Sequence, residues 1–172
     1  MEEAMPSLRR FIGSSPIILA LLKSKLVGQL EVLDIVIEES LNDGVLSDVL
    51  QQLDEFTLAK LSCLRGLKVS TYKIETYHRI EDVIPVLGRL GSVAPALEEL
   101  VISVFQLPTR DIKESLLGLI TQLPNLRRLA LTEEWLRMLD NFPRAESFSE
   151  SARALCPGLL IVDNPEFSPV LS

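Results

Sequence analysis

The chain has 172 residues, carries a formal net charge of −7 and is 47% hydrophobic with only 5% aromatic residues. This length suits one domain with an aliphatic core, and the hydrophobic content argues against disorder. The acidic balance argues against general binding to nucleic acid or to anionic membranes, because both need an excess of Lys and Arg. We expect a single domain over residues 1–172, with 1–25 as an irregular N-terminal repeat or cap and 165–172 as a C-terminal tail.

The start of the chain combines an arginine pair with a short apolar run over residues 16–22, as secretory signal peptides do. Acidic residues precede the run, lysines close it, and no small-residue cleavage site follows. No stretch reaches the ~20 apolar residues that span a bilayer. The two cysteines, Cys63 and Cys156, are too few for a disulfide scaffold,. These features favour a cytoplasmic or nuclear protein.

A repeated segment organises the rest of the chain. Its strong copies are LEVLDIVI (30–37), LRGLKVST (64–71), LEELVISV (97–104) and LRRLALTE (126–133). Each copy has an aliphatic residue at its first, fourth and sixth positions, and the copies start 34, 33 and 29 residues apart. Weaker copies start at Leu8 and Leu159. We interpret each copy as a short strand at a fixed place in a structural repeat.

The segments between these strands have the apolar spacing of amphipathic helices. Helices are predicted over residues 45–61, 80–90, 112–123 and 147–155. Asp111 is predicted to cap the third of these, with Glu114 three residues later as in a capping box. The alternation of strand and helix predicts parallel strands, because each helix returns the chain to the same edge of the sheet.

With one strand and one helix in each unit, residues 26–164 resemble a leucine-rich-repeat domain,. The uneven repeat lengths and phrases such as LPNLRRLAL and ALCPGLLIVD are similar to the repeat region of fungal F-box/leucine-rich-repeat proteins, although no F-box is visible. The resemblance implies an α/β solenoid of about 5–6 irregular repeats, with short parallel strands on the concave face and helices on the convex face. The family's Asn after the strand is replaced by Ser70, Ser103 and Thr132, whose hydroxyls could bond loop backbone groups instead,.

Alternation along each strand predicts which side chains lie on the concave face. The predicted columns across neighbouring strands are Glu31, Arg65, Glu98 and Arg127; then Val32, Gly66, Glu99, Arg128 and Ile161; then Asp34, Lys68, Val101, Ala130 and Asp163. Because neighbouring parallel strands lie about 4.8 Å apart, opposite charges in a column should form cross-strand ion pairs. Partner binding is the alternative role for the adjacent Arg127 and Arg128.

Seven residues are candidates for binding a protein partner on this face. They are Lys68, Tyr72, Glu99, Val101, Phe105, Arg128 and Trp135. The three aromatic residues follow their strands at equivalent or nearby positions and could form a rim of the kind found in binding hot spots. The alternative is that they cover the ends of the core.

Patterns for catalysis are sparse in this chain. The single histidine, His78, has no Ser or Cys nucleophile motif beside it,. The cysteines lack zinc-ligand spacing and are expected to act as small core hydrophobes. No phosphate-binding Gly-rich loop or GxSxG motif occurs,. We therefore expect no enzyme activity, and no catalytic residue, metal site, cofactor or small-molecule substrate.

The sequence favours a non-catalytic protein-protein interaction module whose partner is a protein of unknown identity. If the chain is joined to an F-box, the resemblance implies substrate recognition for a ubiquitin ligase. One alternative is a regulator of a small GTPase, as in the leucine-rich-repeat GTPase-activating proteins. Another is an inactive truncated fragment, since the strand near Leu8 has no evident polar cap over the sheet edge,.

Overall fold

The computed structural model describes residues 8–22, 24–37, 61–71, 84, 87, 94–104, 108–142 and 146–169. The helix predicted over 45–61 lies outside these residues except at Leu61, which is buried and not helical. The helix predicted over 80–90 is described only at Ile84 and Leu87, which are both helical and buried.

Six parallel strands form one open sheet in chain order. They are β1 (Arg10–Ser14), β2 (Val32–Ile37), β3 (Gly66–Thr71), β4 (Glu99–Ser103), β5 (Arg128–Leu131) and β6 (Leu160–Val162). The strong copies of the repeat and both weak copies each contain one of these strands. The predicted α/β class and the parallel arrangement are therefore confirmed.

Alternating apolar side chains attach each strand to the helical layer. In the third copy of the repeat, Leu97, Leu100 and Ile102 are all buried in the main core. The matching residues of the other three strong copies belong to the same core. Each buried aliphatic side chain contributes about 1.5–3 kcal/mol relative to an exposed one, so the repeated apolar positions stabilise the sheet on this side.

The described helices lie between or after the strands. They are α1 (Ser15–Leu22), a 3-10 helix (Lys25–Gln29), α2 (Arg110–Gln122), α3 (Glu133–Asp140) and α4 (Phe148–Leu155). The predictions over 112–123 and 147–155 agree with α2 and α4 to within two residues. Helices α1 and α3 were not predicted.

The N-termini of α2 and α3 are capped by threonines. The prediction that Asp111 caps α2 is wrong, because the helix begins at Arg110 and the Thr109 hydroxyl accepts a hydrogen bond from the backbone of Ile112 at 3.3 Å. Thr132 caps α3 in the same way, accepting from the backbone of Trp135 at 3.3 Å. The Thr132 hydroxyl thus bonds the first turn of a helix, whereas Ser70 and Ser103 lie within β3 and β4,.

A partly buried polar network joins α2, α3 and α4. Asp140 accepts hydrogen bonds from the Ser147 hydroxyl at 2.9 Å and from the backbone and hydroxyl of Ser149 at 2.8 Å each. Burial alone would raise the pKa of Asp140, but these hydrogen bonds and the charge of Lys113 outweigh it, so the pKa is lowered,. The Lys113 ammonium donates to the backbone carbonyl of Glu146. The network fixes the start of α4 against the two preceding helices.

Candidate functional site on the open face

The side of the sheet turned away from the helices is called here the open face. Two rows of side chains cross it, in register from β1 to β6. The rows are Arg10, Val32, Gly66, Glu99, Arg128 and Leu160; and Ile12, Asp34, Lys68, Val101, Ala130 and Val162. These rows reproduce two of the predicted columns from β2 to β5.

The predicted register is wrong by one residue at β6. Arg128 pairs with Leu160 and not with Ile161, and Ala130 pairs with Val162 and not with Asp163. Ile161 is buried in the helix-side core. The last copy has one residue fewer between Leu159 and its strand, so its alternation is shifted relative to the other copies.

Two of the predicted cross-strand ion pairs are confirmed. Arg65 donates two hydrogen bonds to Glu98, at 3.0 and 3.3 Å, and they lower the pKa of Glu98. Arg128 Nη1 lies 3.3 Å from Glu99 Oε2, with the side chains only 12% and 9% exposed. The second pair is therefore shielded from water, which strengthens its attraction and makes the loss of either partner costly.

The chain that follows β6 returns across the open face. We call residues 163–169 the cover segment. Arg128 Nη2 donates to the backbone carbonyl of Asn164 at 3.2 Å. Lys68 donates to both carboxylate oxygens of Glu166 at 3.2 Å. Lys68 thus forms an ion pair with the cover segment, in addition to lying beside its predicted partner Asp34.

The aromatic side chain of the cover segment fills an apolar site on this face. Phe167 is 7% exposed. It forms a separate hydrophobic cluster with Val32, Val101 and Ala130, against which Val162 packs. The Arg10 guanidinium lies 5.7 Å from the centre of the Phe167 ring, within the range of a cation-π contact,.

The next residue of the cover segment binds the charged pair. The Ser168 backbone donates to Glu99 Oε2 at 3.0 Å, and its hydroxyl donates to Glu99 Oε1. Glu99 therefore accepts hydrogen bonds from the cover segment and from Arg128 at once. All five strands from β1 to β5 contribute to holding Glu166, Phe167 and Ser168.

Asp34 lies beside Lys68 in the sheet, and one of its carboxylate oxygens has no hydrogen-bond partner among the described residues. Asp34 is 8% exposed, and the oxygen without a partner is Oδ1. The pKa of Asp34 is raised, chiefly by burial and also by the charge of Glu166, although the charges of Lys68 and Arg10 and a hydrogen bond with Ser70 lower it. A buried acceptor without a donor is unfavourable by about 1–3 kcal/mol.

The structure brings together Lys68, Glu99, Val101 and Arg128, four of the predicted binding residues. The expectation that Val101 is exposed is wrong, because Phe167 covers it. Trp135, a fifth candidate, is also buried, in the main core behind the sheet, and therefore forms no exposed rim. Of the other candidates, Tyr72 and Phe105 lie outside the described residues, and His78 does too.

Exposed apolar side chains flank the covered part of the open face. Ile12 on β1 and Leu160 on β6 are 55% and 57% exposed. Two comparable residues lie away from this face: Ile17 on α1 and Leu155 on α4 are 55% and 51% exposed. The open face therefore has an occupied centre and an apolar position near each edge strand.

The role of the cover segment was not predicted from the sequence. The sequence motif that points to this role is PEFSP, in which Pro165 and Pro169 flank an acidic, an aromatic and a hydroxyl residue. Proline restricts its own φ and disfavours helix in the preceding residue, so such a phrase favours extended backbone. A lone aromatic residue there indicates a docking side chain.

Other features of the described residues bear on function. Cys63 is exposed, so the expectation that it belongs to the core is wrong, whereas Cys156 is partly buried and packs on the core. Within the described ranges, no cluster of three or more His, Cys, Asp or Glu side chains could hold a metal ion. Among the described helices, none has the length and apolarity needed to cross a membrane. Comparisons with protein-family models, curated proteins and solved structures found no match to this chain.

Proposed function

We propose that the chain is a non-catalytic protein-interaction module and that the open face is its binding surface. The observation that carries this proposal is the cover segment itself. A non-helical stretch of polypeptide already lies across the face, held through charge, an aromatic side chain and a backbone hydrogen bond. A surface with these properties is suited to binding a segment of another polypeptide.

The chemistry of the face supports specific binding. Lys68 presents a cation, and Glu99 presents an acceptor to backbone and hydroxyl donors. Between them lies an apolar site that accommodates a phenyl ring. Aromatic anchors in shielded apolar sites contribute most of the energy in many protein interfaces, and the surrounding polar groups set orientation.

The repeat pattern supports a narrower form of the proposal. Six parallel strands, four of which follow the same aliphatic template, suit a leucine-rich-repeat array, in which each unit contacts its neighbours,. A role as substrate-recognition subunit of a ubiquitin ligase, in the cytoplasm or nucleus, rests on the resemblance to F-box/leucine-rich-repeat proteins alone.

The four exposed apolar residues allow a matched test. Ile12→Glu and Leu160→Glu place a charge on the open face, whereas Ile17→Glu and Leu155→Glu make the same change on helices. Each chain is used to capture proteins from a native extract, with circular dichroism as the check on folding. Glutamate at an exposed edge position is compatible with a folded sheet.

We expect proteins captured by the wild-type chain to be retained by the two helix variants and lost from the two face variants. Equal capture by all four variants would place the binding surface elsewhere. Loss from the helix variants alone would assign binding to the helical side of the sheet.

A further inference from the structure

We infer that the cover segment is an internal competitor for the open face, and that the partner binds through an extended segment with an aromatic residue preceded by a neutral hydrogen-bond donor. This inference rests on the proposed function and names the partner's chemistry. The site consists of the apolar cluster around Phe167 and the polar groups of Asp34, Lys68 and Glu99.

The contacts of the cover segment are those of a ligand that can leave. Phe167 packs in a cluster of its own, separate from the main core behind the sheet. The Glu166 side chain is 68% exposed, so its ion pair with Lys68 is open to water,. Release of the cover segment therefore leaves the contacts between the sheet and the helices in place.

Asp34 shows that the cover segment is an imperfect occupant. This carboxylate is buried while the segment is docked, and its Oδ1 receives no hydrogen bond from the segment or from any other described residue. It also brings the like charge of Glu166 near Asp34. An occupant with a donor in place of the Glu166 carboxylate would satisfy Asp34 and remove the repulsion.

A neutral donor fits this position better than a cation, because the ammonium of Lys68 lies beside it. A carboxamide can accept from Lys68 through its oxygen and donate to Asp34 through its nitrogen. The favoured partner sequence is therefore Gln or Asn followed by an aromatic residue and then Ser or Thr, whose hydroxyl and amide bind Glu99 as those of Ser168 do.

Attachment to the same chain explains how a weak occupant keeps the face covered. A tethered segment has an effective concentration of order millimolar. If the same segment binds the face as a free peptide with a Kd of about 100 µM, the tethered segment would keep about ten molecules covered for each one that is open. Opening the face should raise the affinity for a free peptide about tenfold.

The test uses the full chain and a fluorescein-labelled peptide of sequence DNPEFSP, identical to residues 163–169. Phe167→Ala and Ser168→Asp are the opening variants. The first removes the aromatic anchor, and the second sets a carboxylate against Glu99. Ser115→Asp is the matched control, since it makes the same change at an exposed position of α2. Fluorescence anisotropy measures peptide affinity.

We expect both opening variants to bind the peptide about tenfold more tightly than the wild-type and Ser115→Asp chains do. The peptide DNPEASP, which lacks the aromatic residue, should not bind. Failure of both opening variants to bind DNPEFSP better than the wild-type chain does would overturn the competitor role.

A second experiment tests the proposed hydrogen-bond donor in the partner residue that precedes the aromatic residue. The peptide DNPQFSP should bind the opened chains about fivefold more tightly than DNPEFSP does, because its amide satisfies Asp34. On an opened chain that also carries Asp34→Asn, the difference should shrink to less than about twofold. Equal affinities of the two peptides for the opened chains would overturn the assigned partner chemistry.

The outcomes separate this inference from the proposed function. If the face variants Ile12→Glu and Leu160→Glu lose captured proteins but no peptide binds the opened chains, the inference fails and the proposed function stands. If the peptides bind and protein capture does not depend on the face, the proposed function fails.

Discussion

Replacing Phe167 with alanine should detach the cover segment while leaving the rest of the fold intact. Phe167 is 7% exposed, and its cluster is separate from the main core. Burial of a phenylalanine side chain contributes about 1.5–3 kcal/mol. A loss of about 2 kcal/mol lowers the docking equilibrium constant roughly thirtyfold.

Hydrogen exchange at the Ser168 amide reads out this equilibrium directly. In the docked state that amide donates to Glu99 Oε2 at 3.0 Å. With the face covered about ten to one, docking protects this amide about tenfold, and we expect that protection to vanish in the Phe167→Ala chain. Strand amides such as that of Leu129, which lies within β5, should keep their protection.

Leu155→Ala is the matched control, because it removes an apolar side chain that is already 51% exposed. Ser168 protection should not change in that variant. Unchanged Ser168 protection in the Phe167→Ala chain would refute the docking role of the ring. An equal loss of protection at Ser168 and Leu129 would show that the ring stabilises the whole fold and not the cover segment alone.

Three further predictions follow from the buried groups. Asp140→Ala should lower the free energy of unfolding, measured by urea titration, by about 2–4 kcal/mol. The reason is that the donors of Ser147 and Ser149 lose their carboxylate acceptor. A loss below about 0.5 kcal/mol would contradict this role of Asp140. The protonated form of Asp34 should favour docking of the cover segment at acidic pH, and this contribution should be lost as the pH rises through the raised pKa of Asp34,; it is measured as the difference in protection of the segment's amides between the wild-type and Asp34→Asn chains, because that difference separates Asp34 from the Lys68–Glu166 ion pair. Trp135→Ala should lower the free energy of unfolding by about 3–5 kcal/mol, because Trp135 is a buried aromatic side chain,. A change within about 0.5 kcal/mol in urea titrations would instead indicate an exposed residue.

The strands were predictable because their signal is local and repeated. An aliphatic residue at the first, fourth and sixth positions marks a segment whose inner side must be buried, and all four strong copies are strands. The cross-strand pairing of Glu99 with Arg128 followed from the register of those copies. At β6 the same reasoning failed, because one missing residue after Leu159 shifts every later side chain to the other side,.

The features that the sequence did not reveal depend on contacts between distant residues. Helix α3 is short and begins directly after β5, so its eight residues were not separated from the strand. Trp135 was interpreted from its place after a strand, whereas its burial depends on the helix that carries it. The docking of Phe167 on Val32 and Val101 joins residues far apart in the chain, which no periodic pattern encodes.

The most direct test of the account is hydrogen exchange on the chain alone and in complex with a partner captured through the open face. We expect partner binding to speed exchange at the Ser168 amide, because the partner displaces the cover segment from Glu99. Exchange at the amides of α2 and α4 should not change. Slower exchange in those helices, with the Ser168 amide still protected, would contradict the claim that the open face is the binding surface.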